Sequence, residues 1–200
     1  MKNLQCLLLV VMITFGLLDF FNLIDANILN NLRYERLSIS SHEYWRLITA
    51  HLIHLNLIHT LMNSAALFIL IFVFWGDIKG KFDVINFIAC IIMIDVGLFF
   101  LQPELTNYVG FSGILHGLFA YYFIKTINKF KISSCFGIAL LIAKLLWEQS
   151  PLADTSMTAS YIGGNVATAA HLYGGITGLI SGILCNSYTF LKKHSGDLSL

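Results

Sequence analysis

Residues 57–75 read Leu-Ile-His-Thr-Leu-Met-Asn-Ser-Ala-Ala-Leu-Phe-Ile-Leu-Ile-Phe-Val-Phe-Trp. The polar exceptions, His59, Thr60, Asn63 and Ser64, all fall in the first half, and nothing from 65 to 75 is polar except the indole of Trp75. A helix needs roughly 20 mostly apolar residues to cross a bilayer core. Inside lipid a segment must satisfy its own backbone polar groups, so this one is predicted to be helical. The stretch therefore reads as a membrane helix with a polar cluster at its first end.

The same pattern recurs along the chain. Apolar runs cover residues 4–24, 82–101, 111–127, 133–147 and 165–184 as well. The chain has 200 residues, 57% of them hydrophobic and 12% charged, and a mean hydropathy of +0.76. A soluble domain carries about twice that charged fraction. The expectation is an all-α polytopic membrane protein, a bundle of six transmembrane helices forming a single domain over residues 1–200. The fourth and fifth runs are short for a full span. The stretch after Lys2 has the look of a signal peptide, but no small-x-small cleavage site follows, so it is read as a first span that stays in place.

Net charge is +1, and no basic block with interleaved aromatics points to nucleic acid. The placement of the charges is more telling. With the N-terminus in the cytoplasm, Lys2, Lys79, Lys81, Lys125, Lys129, Lys131, Lys192 and Lys193 fall inside and Arg33, Arg36 and Arg46 outside, with Lys144 within the fifth run. This bias places both termini in the cytoplasm. Cys6, Cys90, Cys135 and Cys185 match no zinc or CxxC spacing and read as free thiols packed as small hydrophobes.

Two outer loops stand out. Residues 25–56 carry Tyr34, Trp45 and Arg46, types that favour the membrane interface. Residues 148–164 are rich in small and polar side chains and read as a lid.

Polar groups at membrane depth are costly and call for a role. In Gly110-Phe111-Ser112-Gly113, running into Ile114-Leu115-His116-Gly117, a serine between glycines opens a helix whose first N–H groups suit an oxyanion. Glycines there equally serve close packing. His171, Gly174 and Gly178 share one helix face. If that face meets Ser112, Gly113 and Gly117, the imidazole reaches the hydroxyl and can act as its base. Taken alone, His171 reads equally as a packing residue. His59 and Asn63, one turn apart, can donate towards one point. A zinc site from His51, His54 and His59 competes with that reading, but the three do not share a narrow face and no H-E-x-x-H is present. Asp95 and Lys144 are candidates for a buried ion pair, with Glu148 as the other partner for Lys144.

Together these residues resemble the rhomboid intramembrane proteases. The likeness runs from Trp45-Arg46 through His54, His59 and Asn63, to Gly110-Phe111-Ser112-Gly113, to Ala170-His171 with Gly174 and Gly178. The three motifs stand in the expected order on the second, fourth and sixth runs.

The resemblance implies a six-helix core and a serine endopeptidase with a Ser112–His171 dyad and no orienting aspartate. It also implies an oxyanion hole from His59, Asn63 and the Ser112 N–H, a structural role for His54, and a site opening to the outer face. No metal or organic cofactor is implied. The partners implied are the lipid bilayer and single-pass membrane-anchored substrates; the oligomeric state stays open. Where well-known bacterial members place a tyrosine that stacks on the histidine, this chain has His116. The stretch 110–117 is similar to the rhombosortase subgroup, implying a bacterial inner membrane and substrates with a C-terminal Gly-Gly, apolar helix and basic tail. His116 is read as a stacking and hydrogen-bonding support for His171, with a role as the base or as plain packing left open. The rivals are an inactive rhomboid-like protein that binds membrane helices, and a small transporter, for which no inverted repeat is found.

Overall fold

The computed structural model describes residues 3–24 and 27–196. Six long helices carry the chain: α1 (Asn3–Ile24), α5 (Leu57–Phe74), α6 (Lys81–Leu101), α7 (Ser112–Lys125), α8 (Lys131–Glu148) and α10 (Thr168–Gly196). Short helices α2 (Asn27–Leu32), α3 (Arg36–Ser40) and α4 (Arg46–Thr49) fill the loop between α1 and α5, and α9 (Ser156–Ile162) lies between α8 and α10. Strands β1 (Tyr34–Glu35) and β2 (Asn107–Tyr108) pair antiparallel, with Tyr34 opposite Tyr108. The chain is a helical membrane protein.

Among the described residues, three helices are both long and apolar enough to cross a membrane: α5, α6 and α10 over Thr168–Lys192. The apolar part of α1, Leu4–Leu18, is shorter. Outward faces of the bundle are apolar, as at Phe72, Ile92, Phe100, Leu146 and Ile183. Lipid rather than water satisfies such a surface. The sixth apolar run proves longer than its pattern predicts. Helix α10 starts three residues later than 165 and continues twelve past 184, so its 29 residues span about 43 Å and extend beyond a hydrocarbon core of about 30 Å.

Helix α7 is the short central member, and its depth matters. Lys125 in its last turn donates to the Asp77 carbonyl at 2.7 Å and pairs with Asp83 at the α5–α6 turn. Asp83 also accepts from the N–H groups of Lys79 and Gly80 and from the Tyr121 hydroxyl, capping α6. Both α6 and α7 are thus anchored at one level. From there 21 residues carry α6 about 31 Å, whereas 14 carry α7 about 21 Å. Ser112, at the start of α7, is therefore recessed about 10 Å below the far end of α6.

The partner of α7 is α10, and glycine lets them meet. A Cβ at Gly174 would strike the Gly113 carbonyl, and one at Gly178 the Gly117 carbonyl. Reciprocally, a Cβ at Gly113 would lie 2.9 Å from the Ala170 oxygen. The core around this pair includes Leu67, Leu70, Ile94, Leu98, Ile114 and Leu118. Leu8 and Phe15 of α1 join it, so the first apolar run is packed within the bundle.

Several expectations about the surface need correction. Tyr34 and Arg46 are buried rather than interfacial. Arg46 donates to the carbonyls of Asn30 and Arg33 and pairs with Glu43, so it fastens the first loop internally. Trp45 does stay outward. Arg36 donates to the carbonyls of Leu98, Phe99, Gln102 and Leu105, covering the C-terminus of α6. All four cysteines are free, but only Cys90 and Cys185 are buried; Cys6 and Cys135 face out of the bundle. Lys2 lies outside the described residues.

Candidate active site

Alternating helix directions bring five helix ends together. The starts of α5, α7 and α10 and the ends of α6 and α8 share one end of the bundle. There His59, Asn63, Ser112, His116, Glu148 and His171 line one cavity of about 570 Å³.

The approach to Ser112 is shaped by backbone. Gly110 has φ +115°, which favours glycine. A Cβ there would sit 2.8 Å from the His59 ring. Its N–H donates to the Ala50 carbonyl at 2.8 Å, and its carbonyl accepts from the Tyr108 hydroxyl at 2.5 Å. Phe111 is fully buried against Phe15. The turn is thereby held from both sides as it delivers Ser112 to the first position of α7.

The Ser112 Oγ lies 2.8 Å from His171 Nε2. On the other side of the same ring, His171 Nδ1 donates to the Glu148 carboxylate at 2.9 Å. That donation leaves Nε2 as the acceptor for the serine proton. The two small helix faces do meet, and they bring Ser112, Gly113, Gly174 and His171 together. The resemblance implied a dyad without an orienting aspartate; a buried glutamate stands beside His171 here. Sequence reasoning treated Glu148 as the edge of a lid and a partner for Lys144. The missed signal was depth, since the last residue of α8 and the fourth of α10 must lie at the same end of the bundle.

His116 stacks on His171, with centroids 4.1 Å apart and an interplanar angle of 17°. Its Nδ1 donates to the Ser112 carbonyl at 2.7 Å. The stacking expected of it is present, while its hydrogen bond goes to Ser112 backbone rather than to His171. The other reading, His116 as base, has no bond to the Ser112 hydroxyl to support it.

His59 sits in the first turn of α5, where Asn56 caps the helix by accepting the His59 N–H at 2.9 Å. The Leu55 N–H approaches His59 Nδ1 at 3.4 Å, so Nε2 carries the ring proton and faces Gly110. One Asn63 N–H is used by the His59 carbonyl at 3.1 Å, leaving the second for the cavity. His54 is fully buried, edge-on to Phe15 at 4.7 Å and to His59 at 4.9 Å. Burial and the neighbouring His59 push its pKa down to about 3, so it packs as a neutral ring.

Of the two pairings open to Lys144, the one with Asp95 is not formed. Asp95 bonds His51 at 3.3 Å rather than Lys144. Lys144 pairs one turn away with Glu148, the alternative that spacing allowed. His51 is committed to Asp95 and, at 3.5 Å, to Tyr108, so His51, His54 and His59 do not converge on a zinc position. His116, Glu148 and His171 do bring ligand atoms within 4.8 Å of one another. A ring nitrogen binds a metal close to the ring plane at about 2 Å, and the planes of two rings stacked 4.1 Å apart at 17° do not meet that close to either ring.

A hydroxyl nucleophile, an imidazole base and donors gathered over a recessed cavity define a serine hydrolase built inside a helical membrane bundle. The rhomboid domain family matches residues 41–188. The chain is 27% identical over 176 residues to the rhomboid protease GlpG of Haemophilus influenzae, covering 86% of this chain and 83% of that one. It is 26% identical over 153 residues to YdcA of Bacillus subtilis, named as a candidate rhomboid protease, covering 74% and 71%. The chain belongs to the rhomboid family and is a serine-type intramembrane endopeptidase acting on membrane-protein substrates.

Proposed function

We propose that the chain is a rhombosortase-type rhomboid that uses Ser112 as nucleophile and His171 as base. Its substrates are single-pass proteins with a C-terminal Gly-Gly, apolar helix and basic tail. The observation that carries the reading is the 2.8 Å contact of the Ser112 hydroxyl with His171 Nε2 in a cavity shared with His59 and Asn63. The subgroup rests on the 110–117 motif, with His116 stacked where other members place tyrosine. The fold is a six-span bundle with both termini in the cytoplasm of a bacterial inner membrane and the site towards the periplasm. The lysine-rich α5–α6 and α7–α8 turns support that orientation.

The substrate enters sideways. The cavity extends between α5 and α8, past Met62, Ala66, Phe119 and Leu140, as an apolar slot suited to a helix. Glycines near the end of the substrate helix ease its unwinding and expose a carbonyl. Ser112 Oγ attacks it while its proton moves to His171 Nε2. His59 Nε2–H, the Asn63 amide and the Ser112 N–H hold the oxyanion. His171 then protonates the leaving amine as the C–N bond breaks. Water releases the acyl-enzyme, and an amine in place of water would give transfer. Of the stretch 148–164, Glu148 belongs to the end of α8, and the residues after it, with α9 at their centre, act as the lid. Asn56 fastens α9 to α5 by donating to the Tyr161 carbonyl at 2.9 Å.

The test is co-expression with a secreted protein bearing that C-terminal signal. Wild type cleaves it, and Ser112→Ala and His171→Ala do not. Cleavage that survives Ser112→Ala overturns the nucleophile. A wild type that cleaves only a generic helix-breaking substrate overturns the subgroup.

A further inference from the structure

We propose that Glu148 is a positioning residue of the hydrolytic site, holding His171 in the tautomer and orientation that accept the serine proton. The proposal rests on the Ser112–His171 reading and adds a third member to it.

The placement of Glu148 is costly unless it has such a task. An acidic side chain in the last turn of a helix opposes the helix dipole. A buried carboxylate must also be compensated by hydrogen bonds or charge. Glu148 ends α8 and is 9% exposed. Its two oxygens are divided between two partners. Oε2 accepts from His171 Nδ1 at 2.9 Å, and Oε1 pairs with Lys144. Lys144 is the more exposed partner, with its side chain 46% accessible, and it steadies the carboxylate from the cavity side. The chain of contacts then runs from Lys144 through Glu148 and His171 to the Ser112 hydroxyl.

Each neighbour of His171 contributes to this arrangement. Helix α7 brings Ser112 at one ring nitrogen and His116 against the ring face. Helix α8 brings Glu148 and Lys144. Helix α5 brings His59 across the cavity. Helix α6 carries Asp95, whose carboxylate bonds His51 and not His171. Glu148 is thus the one anion bonded to the imidazole among the described residues. When Nε2 takes the serine proton, the ring becomes a cation beside a carboxylate that keeps its own charge. The proton then leaves from Nε2 to the amine, and Nδ1–H stays on the ring throughout.

The probe is a fluorophosphonate, which labels an activated serine and needs no knowledge of the natural substrate. Labelling rates are measured across pH for purified wild type, Glu148→Gln, Glu148→Asp, Ser112→Ala and His171→Ala, with the Tm of each. Glu148→Gln should label about 10²–10⁴ times more slowly, the upper figure being that of an Asp→Asn change in a serine triad. The acid limb of its profile should move to lower pH, because the anion favouring the imidazolium is gone. Glu148→Asp should keep the limb and regain part of the rate. A Glu148→Gln variant with wild-type rate and profile overturns the proposal. So does loss of rate and Tm in both Glu148 variants with an unmoved limb, which marks a structural role only. Labelling that persists in Ser112→Ala sinks the underlying nucleophile reading instead, whatever Glu148 does.

Discussion

Gly178→Ala probes the packing that brings base to nucleophile. Its Cβ would land on the Gly117 carbonyl and 2.9 Å from the Ala120 Cβ. Ordinary contact begins near 3.4 Å. Relief of the Ala120 contact alone needs about 0.5 Å, and the backbone carbonyl, which cannot rotate aside, needs more. Helices α7 and α10 must therefore separate by about 1 Å. Gly178 lies seven residues, about 10 Å, along α10 from His171, so the displacement reaches the ring. A 2.8 Å contact opened by that amount is no longer a hydrogen bond. Overpacking of this kind costs about 1–3 kcal/mol of stability, and a misplacement of about 1 Å costs about 10² in rate. The assay is cleavage of a membrane-anchored substrate in proteoliposomes, with Tm measured in detergent. Gly16→Ala is the control, since nothing lies within 4 Å of a Cβ there; it should leave both quantities unchanged or raise Tm slightly. Wild-type cleavage and Tm in Gly178→Ala would refute the argument that these glycines set the Ser112–His171 distance.

Four further outcomes are expected. Asn63→Ala should lower kcat about 10²–10³-fold with little change in Tm, as loss of one oxyanion donor requires; a change confined to KM would remove Asn63 from that role. His116→Ala should slow cleavage about 2–10-fold through loss of the 4.1 Å stack, with His116→Tyr restoring most of it; unchanged activity in His116→Ala would leave plain packing. His54, whose folded pKa lies far below its unfolded value, contributes stability that is present above pH 6.5 and lost as pH falls towards 3, because the unfolded chain binds the proton more readily. His54→Phe should therefore flatten the Tm against pH curve across that window, and an identical slope in both proteins would refute this. Asp95→Asn and Lys144→Met should add within about 0.3–0.5 kcal/mol, because Asp95 bonds His51 and Lys144 bonds Glu148; a larger coupling would restore the discarded pair.

Hydropathy alone marked every long helix, because burial in lipid and backbone self-satisfaction act on local stretches of chain. It failed at the end of α10, where polar residues continue the helix past the apolar run. It also failed for Tyr34 and Arg46, whose types suit an interface but whose hydrogen bonds hold the first loop together. The motif residues were legible for another reason. Ser112, His171, His59 and Asn63 are polar groups at membrane depth, set among glycines at helical spacing, and that cost singles them out. Their convergence on one cavity followed from the sequence only on the condition that the small faces of the fourth and sixth runs meet, or through the family resemblance; Glu148 behind His171 and the Asp95–His51 pair were not legible at all. Those facts depend on the depth, rotation and separation of whole helices. Which faces meet is settled when glycine contacts along α7 and α10 and the anchor at the α5–α6 turn fix the helices together, and no local pattern records that.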